Sequence, residues 1–244
     1  MMRLDRLLVT LGLGSRTQAQ RLIRSGQVAV DGRVVRAPET PCGNDASVTV
    51  AGRALDTRLT RHVMLHKPAG LLTAARDPKQ PTVMELLPDA LRPLGCMPVG
   101  RLDKDTTGLL LLTTDGALAH RLLSPGRHVE KRYLAEVDGP LGSAEIEAFA
   151  RGLNLGDFTA RPASLEILES ASNRALARVT VHEGKFHQVR RMFEAVNRAV
   201  TALRRERFGP LFIGDLPEGD WRELTAEETR ALYESAGLEE ATEA

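Results

Sequence analysis

A carboxylate with basic neighbours is the part of this sequence best suited to chemistry. Asp103 lies between Arg101 and Lys104, shortly before four consecutive leucines at 109–112. Nearby positive groups favour the ionised form of an aspartate, and a short apolar run bounded by turn residues is typical of a buried strand. The sequence therefore predicts a charged carboxylate at the rigid edge of a sheet, which suits covalent or acid–base catalysis.

Two other interpretations of this segment stay open on these residues alone. Charged turns before buried strands are common, so Arg101, Asp103 and Asp105 also fit a solvated, self-compensating connection. Asp103 and Asp105 together also fit a carboxylate-bound metal in a nuclease. The six histidines are scattered, and neither Cys42 nor Cys96 lies at ligand spacing. We therefore expect two free thiols, no metal and no cofactor.

The charge of the chain is distributed unevenly. The 244 residues carry a net charge of +1. Residues 215–244 hold ten acidic and two basic groups, a net charge of −8, so residues 1–214 hold 31 basic and 22 acidic groups, a net charge of +9. A basic body attracts phosphate backbones, and the acidic end is predicted to be a solvated tail.

The composition is that of a folded protein outside the membrane. With 42% hydrophobic and 27% charged residues, the chain can bury a core in one or two domains. No apolar stretch approaches the ~20 residues of a membrane span, and the N-terminus lacks the apolar core of a secretory signal. We expect a cytoplasmic monomer with no membrane partner.

The first 35 residues predict two short helices and a hairpin. Apolar residues recur at helical spacing at Leu4, Leu7, Leu8 and Leu11, and again at Ala19, Leu22 and Ile23. Ser15 is a natural N-cap for the second helix, with Gln18 at the capping-box position, and Gly26 is expected to end that helix. The dipeptide at 31–32, Asp-Gly, predicts a tight hairpin after it.

Residues 37–62 predict a closing hairpin followed by a linker, because Pro, Gly and polar residues cluster there. From residue 63 onward, short β-rich runs alternate with turns and a few helices. Helices are predicted over 82–87, 116–123, 143–152, 187–196 and 226–233. Because strands and helices do not alternate regularly, we expect an α+β fold with a mixed, mainly antiparallel sheet.

The run from Gly100 to Gly116, GRLDKDTTGLLLLTTDG, resembles the central motif of the RsuA-type pseudouridine synthases. The resemblance continues in order along nearly the whole chain. Residues 3–35 resemble the small S4 RNA-binding domain through RLDRLL, the SR pair and GQVAVDG. The resemblance implies an S4-like domain with its linker over 1–60, a pseudouridine synthase catalytic domain over 61–235 and an acidic tail over 236–244.

The resemblance also implies the residues of an active site. Asp103 matches the catalytic aspartate, and Arg190 matches the basic residue that pairs with it. Tyr133 matches the tyrosine that stacks on the target base, and Val189 matches the apolar residue of the same pocket. An arginine can hold both oxygens of a carboxylate at once, and base stacking on an aromatic ring tolerates any base.

Further basic residues are predicted to contact RNA. Arg101, Lys104 and Lys67 are candidates for phosphate or flipped-strand contacts, although the turn at 68–70 favours a structural role for Lys67 over a catalytic one. Arg191 belongs to a basic stretch from 185 to 207 that the helix at 187–196 would present beside the cleft. Guanidinium groups on the first two helices are predicted to bind phosphates; they belong to Arg3, Arg6, Arg16, Arg21 and Arg24.

The activity implied is the isomerisation of a uridine to pseudouridine in ribosomal RNA, with rRNA as the partner and no cofactor. Segments 76–83, 124–134 and 186–193 look closer to the small-subunit enzyme, which implies 16S rRNA and its uridine 516, free or in a partly assembled subunit. A 23S rRNA synthase of the large subunit is the alternative within the family. A non-catalytic rRNA-binding assembly factor is the alternative outside it.

Overall fold

The computed structural model describes residues 1–43 and 45–239, so the end of the predicted acidic tail, residues 240–244, lies outside the described residues. The chain divides into two compact units. The first comprises residues 1–61 and 87–96, and the second comprises residues 62–86 and 97–239. The sequence predicts one boundary, after residue 60, and does not predict that residues 87–96 belong to the N-terminal unit. Within the described ranges, no helix is long and apolar enough to cross a membrane.

The N-terminal unit consists of two helices and short strands. Its elements are β1 (Met2–Arg3), α1 (Leu4–Thr10), α2 (Arg16–Arg24), β2 (Val28–Val30), β3 (Arg33–Val34), β4 (Pro41–Cys42), β5 (Val48–Val50) and β6 (Arg53–Leu55). Strands β3, β2, β5 and β6 form one antiparallel sheet in that order, and β1 pairs with β4. Strands β5 and β6 form the closing hairpin predicted within residues 37–62.

Local signals in the first 35 residues have the predicted effect. Ser15 accepts a hydrogen bond from the Gln18 amide, and the Gln18 side chain accepts one from the Ser15 amide, which completes the capping box. Gly26, at φ +77°, follows the last turn of α2. Asp31 and Gly32 both have positive φ, as the tight hairpin between β2 and β3 requires. The apolar faces of α1 and α2 meet in a buried cluster that includes Leu4, Leu8, Ile23 and Val48.

The larger unit is built on one nine-stranded sheet. Its strands are β7 (His62–Lys67), β8 (Met97–Pro98), β9 (Thr107–Thr113), β10 (Lys131–Val137), β11 (Ser164–Ala171), β12 (Arg174–Val181), β13 (Val200–Phe208), β14 (Leu211–Phe212) and β15 (Trp221–Glu223). The main order is β11-β12-β10-β13-β9-β7-β15, with β14 on β13 and β8 on β9. Every pairing is antiparallel except that of β13 with β9, so the predicted α+β class is confirmed.

The helices of this unit are α3 (Gly116–Leu123), α4 (Ser143–Arg151), α5 (Gln188–Glu194) and α6 (Ala226–Ala236). The helix predicted over 82–87 is a 3₁₀ helix, Val83–Leu86. The four leucines of β9 are fully buried, and because successive side chains point to opposite faces of a sheet, both faces are covered at this strand. Cys42 and Cys96 are free, buried thiols, as expected.

Candidate active site

A cavity of about 300 Å³ lies in the larger unit. Its walls come from the loop that precedes β9, from β10, from the segment joining β12 to α5, and from β13. Five of the predicted site residues line it, namely Arg101, Asp103, Tyr133, Val189 and Arg190. The fold thus brings together three segments, near residues 103, 133 and 190, that the sequence keeps far apart.

A buried lysine holds the loop that carries Asp103 through hydrogen bonds to its main chain. The Lys67 side chain is fully buried, and its Nζ donates to the carbonyl oxygens of Pro68, Lys104 and Thr106, each at 3.0 Å. Burial lowers the pKa of Lys67 to about 8. Lys67 therefore organises the backbone around Asp103 and is closed off from any phosphate, in keeping with a structural role.

A second contact to the same loop comes from Thr73, which lies in the segment that follows β7. The Thr73 hydroxyl donates to the Leu102 carbonyl at 2.8 Å and accepts from the Leu102 amide at 3.2 Å. The Thr106 amide donates to the Asp103 carbonyl at 3.1 Å, which closes a turn around the aspartate. Fixed main-chain contacts on both sides of residue 103 give its carboxylate a defined position, as a preorganised catalytic group requires.

The side chain of Asp103 is in contact with a histidine. The Nε2 atom of His187 lies 3.5 Å from Oδ1 of Asp103, and the two side chains are 41% and 36% exposed. His187 has φ +50° and precedes the first turn of α5. Arg190 lines the same cavity, but its Nη1 donates to the Val200 carbonyl at 3.1 Å. The expected pair between Arg190 and Asp103 is not formed in the described part of the chain, because the start of β13 offers Arg190 a main-chain acceptor.

Asp103 and Glu183 are the two carboxylates among the residues that line this cavity. Glu183 is already used by the loop before α5: its Oε2 accepts from the Arg161 amide at 2.9 Å and from the Gln188 side chain at 3.0 Å. Its other oxygen lies 3.6 Å from the Arg161 guanidinium. Asp103 is therefore the carboxylate with capacity left for a substrate. Asp105 is exposed and is absent from the cavity lining.

Two further cations lie on the cavity wall: Arg205, which belongs to the basic stretch from 185 to 207, and Lys131, for which the sequence predicts no role. Arg205 is buried, and its Nε donates to the Leu109 carbonyl at 2.8 Å. Lys131 donates to the Val129 carbonyl at 2.7 Å, and burial together with Arg205 lowers the pKa of Lys131 to about 8. Both cations lie over the Phe208 ring. Strands β10 and β13 both carry several charged residues, so the sequence pattern does not distinguish these two from their neighbours.

Two predicted RNA contacts lie outside the cavity lining. Lys104 is exposed, and its Nζ donates to the Gln80 side chain at 2.8 Å. Arg191 donates to the Leu155 carbonyl at 2.6 Å, is paired with Asp157 and lies over the Phe158 ring. Arg191 thus ties α5 to the segment between α4 and β11.

The five arginines predicted to bind phosphates at the N-terminus fall into two groups. Arg3 and Arg16 share the buried carboxylate of Asp5, with nitrogen–oxygen distances of 3.1 and 3.4 Å. These contacts, and a hydrogen bond from Gln20, hold the pKa of Asp5 well below its usual range. Three further arginines, Arg6, Arg21 and Arg24, are exposed. Asp5 thus fixes the orientation of two guanidinium groups that remain largely accessible.

Comparison with known families matches both units. Residues 61–195 match the family described as RNA pseudouridylate synthase, and residues 2–46 match the S4 domain. A solved structure described as a pseudouridylate synthase superposes with a TM-score of 0.65 at 32% identity. The alignment covers 95% of this chain and all of that structure.

Curated relatives match over nearly the full length. Ribosomal small subunit pseudouridine synthase A of Pseudomonas aeruginosa is 43% identical over 240 residues, which cover 93% of this chain and 98% of the relative. The Escherichia coli protein of the same name is 40% identical over 95% of this chain and all of its own length. Ribosomal large subunit pseudouridine synthase B of Bacillus subtilis is 35% identical over 95% of this chain and 96% of its own length.

Proposed function

Because this chain belongs to the RNA pseudouridylate synthase family, and to its RsuA type, we propose that it modifies one uridine of 16S ribosomal RNA, at position 516. The chain is an RNA pseudouridine synthase. The preference for 16S rRNA is supported by the two small-subunit relatives at 40 to 43% identity. The observation that carries the proposed site is the meeting of Asp103, Tyr133 and Arg190 around one cavity.

The reaction rearranges bonds without a net change in atoms. The bond from C1′ of the ribose to N1 of uracil breaks, the base turns, and C1′ bonds to C5; C5 then gives up its proton, and N1 gains one. We assign the carboxylate step to Asp103, which either attacks the ribose or removes one of its protons. Tyr133 provides the flat surface for the detached base, and Val189 closes the pocket beside it.

Positive charge around the cavity supports a negatively charged substrate. Lys131, Arg190 and Arg205 line it together with the exposed Arg101. Because an everted nucleotide brings its phosphates to the rim, we assign phosphate contact to Arg101. Arg190 and Arg205 are tied to main-chain carbonyls, so they supply a fixed positive potential near Asp103.

We assign the docking of rRNA to the N-terminal unit. Arg3 and Arg16, oriented by Asp5, and the exposed Arg6 and Arg21 form its basic surface. In this proposal residues 1–60 bind RNA and lead into the catalytic domain at 61–235, and residues 236–244 form an acidic tail.

Asp103→Asn tests the catalytic assignment, and Asp105→Asn is its matched control. Both variants remove one negative charge from the same loop, but the second carboxylate is outside the cavity lining. We expect Asp103→Asn to reduce pseudouridine formation by at least about 100-fold with little change in RNA affinity, since phosphate contacts dominate affinity. Asp105→Asn should keep the wild-type rate.

The target is tested by mapping pseudouridines in both rRNAs of a strain that lacks this gene. Loss of a single 16S pseudouridine, restored by the wild-type gene and not by Asp103→Asn, is the expected result. A missing 23S site would move the protein to the large-subunit group.

Unchanged modification by purified Asp103→Asn would remove Asp103 from its assigned role. Full activity in a metal chelator would exclude the carboxylate-bound metal of a nuclease.

A further inference from the structure

An exposed pair of stacked rings lies against the cavity that contains Asp103. The Phe186 side chain is 67% exposed. Its ring centroid is 3.8 Å from that of His187, and the ring planes differ by 17°. Both residues line the cavity. One exposed phenylalanine is ordinary on a protein surface, but this one is already stacked flat on a second ring at the edge of a substrate site.

The ring on which Phe186 stacks, and the loop that carries it, have further contacts in the cavity wall. His187 is restrained by the contact of its Nε2 with Asp103. The loop before it is tied by the buried Gln188, whose side chain accepts from the Lys185 amide at 3.1 Å and donates to Glu183 at 3.0 Å. A fixed aromatic surface binds a flat partner without the entropic cost of ordering a loose side chain.

The surroundings of the Phe186 ring indicate what would cover it. Arg101 and Lys185 are exposed and line the same cavity, so a flat partner that carries negative charge fits best. A nucleobase with its phosphate meets both requirements, since bases stack on aromatic rings whatever their identity. Tyr133 is half-buried and is therefore less accessible to solvent than Phe186. The base at Tyr133 is the target, which leaves Phe186 for a neighbour.

We propose that Phe186 and His187 form a stacking platform for the nucleobase next to the target uridine in the RNA strand. This inference rests on the proposed function. Eversion of the target costs its neighbour a stacking partner, and the Phe186 ring replaces that partner. The platform thereby stabilises the RNA strand in the state in which the target uridine is everted. In that state His187 keeps its contact with Asp103.

The test combines protein variants with a base deletion in the RNA. The substrate is a 16S rRNA fragment that carries a 5-tritiated uridine at the mapped site, with intact neighbours or with an abasic nucleotide on its 5′ or 3′ side. Tritium release under single-turnover conditions measures the reaction. The variants are Phe186→Ala, Phe186→Tyr and the control Phe212→Ala, because Phe212 is 48% exposed but lies outside the cavity lining.

On intact RNA we expect Phe186→Ala to lower kcat/KM by about 5- to 150-fold. Phe186→Tyr keeps a stacking ring and should recover most of this loss, whereas the control Phe212→Ala should stay near the wild-type value. On one of the two abasic RNAs, the wild type and Phe186→Ala should react at the same rate, which identifies the stacked neighbour.

Two results would overturn the platform. One is an equal loss by Phe186→Ala on intact and on both abasic RNAs, and the other is no loss on intact RNA. A wild-type protein that releases no tritium from any RNA would refute the proposed function itself, so the two failures are distinguishable.

Discussion

Gly108→Ala tests how closely strands β9 and β13 must approach to build the cavity wall. Gly108 pairs with Arg205 in the parallel ladder and with Lys67 in the antiparallel one. A Cβ at residue 108 would lie 2.3 Å from the carbonyl oxygen of Arg205 and 2.6 Å from its nitrogen. Because these atoms are backbone inside a sheet, no side chain can move aside to make room.

The cost of this substitution has two parts. Gly108 has φ +104°, a conformation that costs an L-residue about 1–3 kcal/mol. Overpacking a tight interior adds about 1–3 kcal/mol. The expected loss is therefore about 2–6 kcal/mol, and at about 2–4 °C per kcal/mol for a protein of this size the Tm should fall by at least about 4 °C.

The matched control is Gly116→Ala. Gly116 begins α3, and a Cβ there meets nothing within 4 Å. Alanine at a compatible position stabilises by about 0.4–1 kcal/mol, so the Tm of this variant should rise slightly. Thermal unfolding followed by circular dichroism measures both effects in the full chain.

The same variants report on the active site. Gly108 lies five residues after Asp103 and faces Arg205, which lines the cavity. If the alanine separated β9 from β13 by about 1 Å, Asp103 and Arg205 would be displaced relative to each other, and turnover should fall by about 100-fold. Gly116→Ala should keep the wild-type rate. The reasoning is wrong if Gly108→Ala melts within about 2 °C of the wild type, or if Gly116→Ala is the more damaging change.

Lys67→Met removes the donor that holds the loop of Asp103, so we expect turnover to fall by about 100-fold with RNA affinity unchanged in a filter-binding assay; equal losses in both would argue against a positioning role. In the wild type, deprotonation of Lys67 turns a lone pair toward one of its three carbonyls, so turnover should fall as pH rises through about 8, and a rate constant up to pH 9 would contradict this. Asp5→Asn should destabilise the chain at pH 6, because the pKa of the Asp5 carboxyl is lower in the folded chain than in the unfolded one. The resulting stability is fully present above the unfolded pKa of about 3.9 and is lost as pH falls from there through the lower pKa of the folded chain. The difference in Tm between wild type and Asp5→Asn should therefore shrink at pH 3, and a difference that grows on acidification would refute the ion-pair argument.

Signals that act over a few residues predicted the local elements well. The capping box at Ser15, the hairpin at 31–32 and the helix at 116–123 all have the predicted bounds. Such features depend on hydrogen bonds and dihedral angles within one turn of chain, so the residues that determine them are adjacent in the sequence. Strand β4 was not predicted, because a two-residue strand is defined by its partner elsewhere in the chain, here β1.

Residue types and the order of the motifs were enough to indicate the chemistry and the family before any fold was known. The contacts of those residues became visible only in the folded chain. Folding brings Asp103 into contact with His187 and Arg190 into contact with the Val200 carbonyl, and it encloses Lys67 among three carbonyl groups. These contacts join strands and loops far apart along the chain, so their distances depend on sheet register and packing, which no local pattern encodes.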